Sequence, residues 1–567
     1  MALKRIPSLL IPDSIDSVWM LTVELWKVAS VGGLGKVVYN LARELARQGI
    51  DVKVIMPSHG RHLSSEYRSL LNLKEINITA EGERIGVNGQ YYHYKLGFEE
   101  GGLDGFKVVL VKGLDYETGK IIDNWVIYSE IEEKASLFAK AVEIYSLHSI
   151  PSNIPSLIHI HDWHTVLAGV KAKQVFELRR IIIPLVFSIH LINQRGFPWH
   201  YASVEWSGIR DESHYVWFPF RHVLKSYREI WDVYSKGDIE KFGMYESDVI
   251  VSVSKSYLED EILKRLGDWY REKCCVVYNG TDWYLDDVQA LLYRVFNTID
   301  RKVIRKKILE NLWSIRTSIE DYISAKIVWD NRWKIGIRDD STIEPLSDGN
   351  LILYAGRISY QKGLDILINS FKKVVKIFPD TKLIILGIPT GDYTYLYNII
   401  EMIRDLRVNV RLIIGKIDEI IYKALFYSAD ALVVPSRWEP FGIVAIEAMA
   451  LGTPVIASRV GGLKEIVVDI REDKKNGNGL LVGNNEEDLS KGILTLLALS
   501  KFYDTGDEEY LKFSEIKNIE RNFWEMIREN AIRRVNEKYR WEIIVKELIN
   551  VYNKALKIAE NRALAWG

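Results

Sequence analysis

"ADALVVPSRWEPFGIVAIEAMALGTPVIAS" (residues 429–458) decides the fold. "ADALVVPS" is apolar and β-branched and reads as a buried strand, "RWEPFG" as a loop, and "IVAIEAMAL" as a helix that Gly452 ends. Pro454 lies just beyond that stop, and "TPVIAS" is the next strand. Strand, loop, helix and strand in this order make one unit of a parallel sheet, because parallel neighbours need a crossover between them. The unit places one carboxylate, Glu439, in the loop after a strand and a second, Glu447, about two turns into the helix.

The pattern repeats outward. "NLILYAG", "TKLIILG" and "NVRLIIG" are further strands, alternating with helices such as "LDILINSFKKVVKIF", so the second half is a doubly wound sheet of five strands. In the first half "SVWMLTVEL" (17–25) reads as a strand, "LGKVVYNLARELARQG" as an amphipathic helix with Gly49 at its C-cap, and "DVKVIMP" as a strand. "SLIHIHDWHTVLAGVKAKQVFEL", "IIIPLVFSIH" and "DVIVSVS" continue a parallel sheet with helices on both faces. Tyr284 to about Ser347 is charged and helical in tendency, a connection or an inserted helical subdomain. The expected division is 1–278, completed by a C-terminal helix at about 545–567, and 279–544, with the insertion at about 284–347.

Composition narrows the function classes. With 567 residues, two cores are expected; 48% hydrophobic and 27% charged residues exclude a mainly disordered chain. Lys plus Arg (75) balances Asp plus Glu (76), which gives no global drive toward nucleic acid or anionic membrane, so any anion site is local. The two cysteines, Cys274 and Cys275, are neighbours, too few for a zinc cluster and poorly placed for a disulfide, which fits a reducing, cytoplasmic setting. No apolar stretch reaches membrane-spanning length, and "MALKRIPSLLIPDSIDS" reads as a mature N-terminus rather than a secretory leader.

Ligands of open α/β sheets sit outside the carboxyl ends of the strands, and here the unusual residues fall there repeatedly. In "SVGGLGKVVYNL" Gly32, Gly33 and Gly35 precede a helix, offering bare backbone N–H groups to an anion or a polar sugar. "GRISYQKG" puts Arg357 and Lys362 between a strand and a helix, a guanidinium and an ammonium suited to a diphosphate. "HIHDWHT" holds His159, His161, Asp162 and His164; strand alternation sends His159 and His161 to one face as packed histidines, and neither a helical histidine pair nor an Asp-x-Asp triplet is present to hold a metal. His190 ends another strand, where a hydrogen bond to a substrate hydroxyl is expected. Ionised, Glu439 and Glu447 accept hydroxyl pairs and could grip two polyols, a transferred sugar and a ribose.

These motifs, "GGLG", "HDWHT", "FSIH", "YNGTD", "GRISYQKG", "EPFGIVAIEAM" and "VGGL" in this order, resemble the glycogen/starch synthases, and the chain looks closest to archaeal members that also carry "PSHG". The resemblance implies the GT-B fold: two Rossmann-like doubly wound parallel-sheet domains facing a cleft, with "RWEIIVKELINVYNKAL" as the C-terminal helix that crosses back to the first domain. It implies transfer of glucose, with retention, from ADP-glucose or UDP-glucose to the end of an α-1,4-glucan such as glycogen, without cofactor or metal and without nucleic-acid or membrane partners.

By the same resemblance Glu439 would contact the donor glucose and Glu447 the ribose. Arg357 and Lys362 would neutralise the diphosphate, Phe441 and Gly442 would present backbone N–H groups, and Gly461 with Gly462 would open a second phosphate-facing helix. Gly32, Gly33, Leu34 and Asn279 would complete the donor contacts, His190 would stand beside the scissile bond, and Asp162 would lie on the acceptor side. Many members carry Lys directly before x-Gly-Gly-Leu, where this chain has Ser30, with Lys27 three residues earlier. The readings kept beside this one are a sucrose- or trehalose-type synthase with a small acceptor and a catalytically weakened glycan-binding protein. A phosphorylase would need a Schiff-base lysine, for which no placed candidate is seen.

Overall fold

The computed structural model describes residues 3–6, 9–219 and 221–566. Part of the expected mature N-terminus (Met1, Ala2, Pro7, Ser8) and Gly567 of the expected C-terminal helix lie outside them. The chain forms two compact units, the first made of Met1–Asn279 with Trp541–Gly567 and the second of Gly280–Arg540.

The first unit is built on a nine-stranded sheet. In chain order its strands are β1 (Ser17–Leu21), β2 (Asp51–Pro57), β3 (Lys74–Ile85), β4 (Tyr91–Leu103), β5 (Phe106–Gly113), β6 (Leu157–His161), β7 (Leu185–Ile189), β8 (Val249–Ser252) and β9 (Cys274–Val276). Their spatial order is β9-β8-β7-β6-β1-β2-β5-β4-β3. Neighbours are parallel from β9 through β5, whereas β4 runs antiparallel to both β5 and β3.

That antiparallel edge departs from the parallel sheet read in the sequence, and its cause is local. Leu103 pairs with Phe106 across a two-residue turn, Asp104 and Gly105, both at positive φ (46° and 97°). Such a turn matches strand twist and joins antiparallel neighbours directly, without a helix. β1 stops at Leu21 rather than Leu25, and the chain then enters the loop that precedes the helix Gly33–Arg47. That helix buries Val37, Val38, Leu41 and Leu45 and ends at Gln48, with Gly49 (φ 86°) in the left-handed conformation that closes it.

The C-terminal helix starts at Trp541, four residues before the expected 545, and runs to Trp566 within the first unit. Its Ile544, Leu548, Tyr552, Ala555 and Ala559 are buried. Near its end Arg562, 1% exposed, contacts Glu177, donates to Asp248 at 2.9 Å and caps the Ile183 carbonyl at 3.1 Å. A charge this deep persists only with partners of this kind.

The second unit holds a six-stranded sheet, all parallel: β10 (Leu351–Ile358), β11 (Lys382–Pro389), β12 (Val410–Ile414), β13 (Ala431–Val434), β14 (Val455–Ser458) and β15 (Gly479–Val482). The order β12-β11-β10-β13-β14-β15 is the dinucleotide-fold order, with its switch point between β10 and β13. β15 is the strand missing from the five read in the sequence; "GLLV" is short and follows the charged turn "REDKKNGN", which masks it. Residues 284–347 are helical, with Leu285–Phe296, Arg301–Glu310 and Tyr322–Asp330, the last two capped by Asp300 and Asp321. Among the described residues no helix is long and apolar enough to cross a membrane.

Candidate functional site

In the second unit two loops at the carboxyl ends of β10 and β13 are locked together. Arg357 lies near the end of β10, the tight turn Tyr360–Lys362 follows, and Gly363 (φ 65°) leads into the helix Leu364–Val374. A Cβ on Gly363 would stand 2.0 Å from the Pro435 carbonyl oxygen, so glycine is what lets the loops meet. Once they meet, Arg437 N donates to the Gln361 carbonyl at 2.8 Å and Gln361 Nε2 to the Trp438 carbonyl at 3.0 Å. Arg357 Nη2 donates to Gln361 Oε1 at 3.2 Å.

The charged centre of this cluster is an ion pair: Lys362 Nζ to Glu439 Oε2 at 2.5 Å, with the Ser436 hydroxyl donating to the same oxygen at 3.1 Å. Glu439 is 7% exposed, so the loop carboxylate is held rather than mobile. Beside it Arg437 forks onto Asp365 at 2.8 and 2.7 Å and lies 3.8 Å over the Tyr360 ring. Burial raises the Asp365 carboxyl, but the hydrogen bonds from Arg437 and Tyr395 outweigh it and leave the group below its ordinary value.

Gly461 and Gly462 press on the same loop. A Cβ at Gly461 (φ 45°) would lie 1.9 Å from the Glu439 carbonyl oxygen, and Gly462 N donates to that oxygen at 3.1 Å. The family resemblance implies a phosphate-facing role for these glycines; in the structure they also brace the Glu439 backbone. Gly442 (φ 110°) opens the helix Ile443–Ala450, with Phe441 buried against Tyr539. Glu447 is the fifth residue of that helix, 3% exposed and, at 3.6 residues per turn, little more than one turn in rather than the two read from the sequence. Arg357, Lys362, Glu439, Phe441, Gly442, Gly461 and Gly462 are thus gathered at one end of one sheet, with Glu447 a turn deeper.

In the first unit the glycine loop is organised by a residue the motif reading passed over. Glu24, 2% exposed, accepts from Val31 N at 2.8 Å, Gly32 N at 3.0 Å and the Ser30 hydroxyl at 3.1 Å through Oε2, and from the Tyr128 hydroxyl through Oε1. A Cβ at Gly35 would meet Ser30 Oγ at 2.3 Å, so Gly35 serves the loop's own packing. Gly32 and Gly33 are exposed at the helix start and Leu34 is buried behind them. Lys27 is bound by Asp104 at 2.8 Å, so its ammonium is tied at the Asp104 turn.

At the ends of β6 and β7 sits the histidine group. The His159 and His161 rings pack with centroids 4.1 Å apart, tilted by 35°. His159 bonds Tyr552 at 2.8 Å and Ser188 at 2.7 Å, and His161 Nδ1 and His190 Nε2 are hydrogen-bonded at 3.0 Å. Burial holds all of them neutral: it lowers His159 to about 3 and His190 to about 4, and His161 lies well below its ordinary value. Among the described residues no three His, Cys, Asp or Glu side chains are grouped to hold a metal ion.

Asp162, at φ 59° and ψ 173°, is strained into a region non-glycine residues avoid, and the strain aims its carboxylate at a backbone. Oδ1 accepts from His190 N at 2.7 Å and Leu191 N at 3.2 Å. The next N–H groups are held as well, Ile192 by the Tyr257 hydroxyl at 2.8 Å and Asn193 and Gln194 by Glu240 at 2.9 and 3.0 Å. Burial pushes the Asp162 carboxyl up to about 8, against the pull of those N–H donors, and nearby Glu240 and Glu24 add to the rise. Asn279, 6% exposed, closes the unit after β9.

Glu24, Glu240, Tyr257, Gln361, Arg437 and Asp365 were not singled out from the sequence. Glu24 alone carried a signal, a carboxylate in "TVELW" just past a buried strand.

Comparison with known proteins gives a consistent result. A family model for the starch synthase catalytic domain matches residues 17–270, and one for group 1 glycosyl transferases matches residues 338–512. A glycogen synthase of Hydrogenobaculum sp. is 26% identical over 549 residues, 93% of this chain and 96% of that protein. An uncharacterised glycosyltransferase of Methanocaldococcus jannaschii is 29% identical over 438 residues, 76% of this chain and 82% of its own length. Among solved structures, the catalytic domain of starch synthase IV from Arabidopsis thaliana, bound to ADP and acarbose, superposes with a TM-score of 0.69 at 18% identity, covering 96% of this chain and 100% of that one. That likeness fixes the fold as GT-B.

Proposed function

Because the chain belongs to the glycogen and starch synthase family of glycosyltransferases, we propose that it transfers glucose from ADP-glucose or UDP-glucose to the end of an α-1,4-glucan, with retention of configuration. The observation that carries this reading is the Lys362–Glu439 pair with Arg357 beside it, at the mouth of a helix whose first N–H groups carry no side-chain cap.

A nucleoside diphosphate brings charge that must be met as the glycosidic bond breaks. Lys362 can turn from Glu439 to the leaving oxygens, and Arg357 adds a planar fork. Released from the ammonium, Glu439 accepts hydroxyls of the glucose, while Glu447 does the same for the ribose. Phe441 and Gly442 present N–H groups.

Retention by a double displacement needs two carboxyl groups about 5 to 5.5 Å apart. We assign instead attack from the face on which the diphosphate departs, the departing oxygen taking the acceptor's proton. His190, neutral by burial, offers hydrogen bonding without adding charge beside the anomeric carbon. Asp162, on the acceptor side, holds the His190 backbone in place.

The test is release of nucleoside diphosphate from each donor with glycogen present, in wild type and Glu439→Ala. Glycogen-dependent release that falls by about 100- to 1000-fold in the variant is expected. Equal release without glycogen would sink polymer extension and bring a small acceptor forward.

A further inference from the structure

Far from the loops of Arg357 and Glu439, at the opposite, amino ends of the second unit's strands, lies a cavity of about 60 Å³. Asp430 directly precedes β13, Ser428 ends the helix Glu419–Ser428 before it, and Pro454 directly precedes β14. The first turn of the helix Arg301–Glu310 and Arg528 of the helix Phe523–Lys538 close it. At about 15 Å³ per water the space takes about four waters, or one tetrahedral oxyanion.

Four cations face it, Arg301, Lys302, Arg305 and Arg528, against two carboxylates, Asp430 and Asp504. The acids are already engaged: Asp504 pairs with Lys302 at 2.6 Å and Asp430 with Arg305 at 2.7 Å. Asp430 also accepts from Leu351 N at 2.7 Å and the Ser500 hydroxyl at 2.8 Å. Among the described residues Arg301 bonds only carbonyl and hydroxyl oxygens, and Arg528 bonds only the Gly452 carbonyl, at 3.2 Å. Two positive charges are left over.

Two buried donors are left over as well. Arg305 is 7% exposed and its Nε has no hydrogen-bond partner, the nearest acid oxygen, of Asp348, standing 3.9 Å away. Ser428 is 2% exposed and its hydroxyl, like Arg305 Nε, has no hydrogen-bond partner among the described residues. A buried donor left unmade costs about 1 to 3 kcal/mol, so two of them around one cavity with surplus positive charge mark a missing acceptor.

We propose that this cavity is a second ligand site, for a phosphate-type oxyanion, held by Arg528, Arg305, Arg301 and the Ser428 hydroxyl. Burial already depresses the Arg528 guanidinium to about 10, and an anion would restore it. Free phosphate and the phosphate group of a hexose monophosphate present the same chemistry; the small cavity admits the phosphate, with any sugar outside.

The test is calorimetric titration of the full chain with inorganic phosphate and, separately, glucose 1-phosphate, at ionic strength matched with chloride. Saturable binding is expected, weakened about 10- to 100-fold in Arg528→Gln by loss of charged hydrogen bonds, and weakened also in Ser428→Ala, which removes one oxygen and keeps the fold. Binding should persist in the Lys362→Ala, Arg357→Ala double variant, which separates this site from the proposed donor site, and Arg528→Gln should retain transferase activity. Tighter binding of the sugar phosphate would identify the larger ligand. No saturable binding, or binding lost in the double variant and kept in Arg528→Gln and Ser428→Ala, overturns the proposal.

Discussion

The Lys362–Glu439 pair makes a quantitative claim about how two residues share one task. At 2.5 Å and an effective dielectric of about 20, the gross Coulomb attraction is about 6 to 7 kcal/mol. Desolvation of both groups, whose side chains are 18% and 9% exposed, removes most of it and leaves a net coupling of about 1.5 to 3 kcal/mol. Lys362→Ala and Glu439→Ala should each lower kcat/KM by about 100- to 1000-fold. The double variant should fall by less than the product of the two, by a factor of about 10 to 150, because the second removal no longer strands a charge.

The assay is glycogen-dependent release of nucleoside diphosphate under kcat/KM conditions for wild type, both singles and the double, with melting curves to confirm equal folding. Arg357→Ala supplies the control: its guanidinium bonds Gln361, not Glu439, so its loss should add to that of Glu439→Ala within about 0.5 kcal/mol. Additivity of Lys362→Ala with Glu439→Ala within that same margin would refute the idea that the pair acts as one unit.

Two further predictions concern the first unit. Arg562→Met should destabilise it by about 3 to 5 kcal/mol in urea unfolding, since Glu177 and Asp248 would stay buried without their cation, and adding Glu177→Gln and Asp248→Asn should recover much of the loss. A loss below about 1 kcal/mol would mean the C-terminal helix does not depend on that charge. His164, lowered to about 3 by burial, has a folded value below its unfolded value of about 6.5, so its contribution is present above about pH 6.5 and is lost as pH falls. From pH 7 to pH 5 wild type should therefore lose about 2 kcal/mol more unfolding free energy than His164→Phe, whose ring keeps the contacts with Trp163 and Tyr128. Equal losses would show that His164 is protonated in the fold.

The sheets were legible because parallel strands are buried on both faces and read as apolar runs, as "NLILYAG" and "ADALVVPS" do. β3 to β5 were not, because "KEINITAEGERI" alternates charged and apolar residues as an edge strand should, and only the Asp104–Gly105 turn announces the hairpin. The loop residues Arg357, Lys362, Glu439, Asp162 and His190 stood out by position, each near the end of an apolar run. Glu240 did not, since it sits in a helix far along the chain, and its role appears only when the fold brings it to Asn193 and Gln194. Glycines were legible as turns and illegible as contacts. Gly363 and Gly461 serve close approach, to Pro435 and Glu439, which no local pattern encodes.

The loop clusters of the two units solve opposite electrostatic problems. In the first unit every N–H from His190 to Gln194 is taken by Asp162, Tyr257 or Glu240, and the histidines are neutral, so this loop has no group that must change partner for the neutral glucan of the proposed function. It is pre-organised, and the cost was met in the strained backbone of Asp162. In the second unit the cation Lys362 is held by a carboxylate, which under the proposed function it exchanges for the diphosphate of the donor. A rigid neutral loop and an exchangeable ion pair are what the proposed glucosyl transfer asks for, because charge changes hands on the leaving side alone.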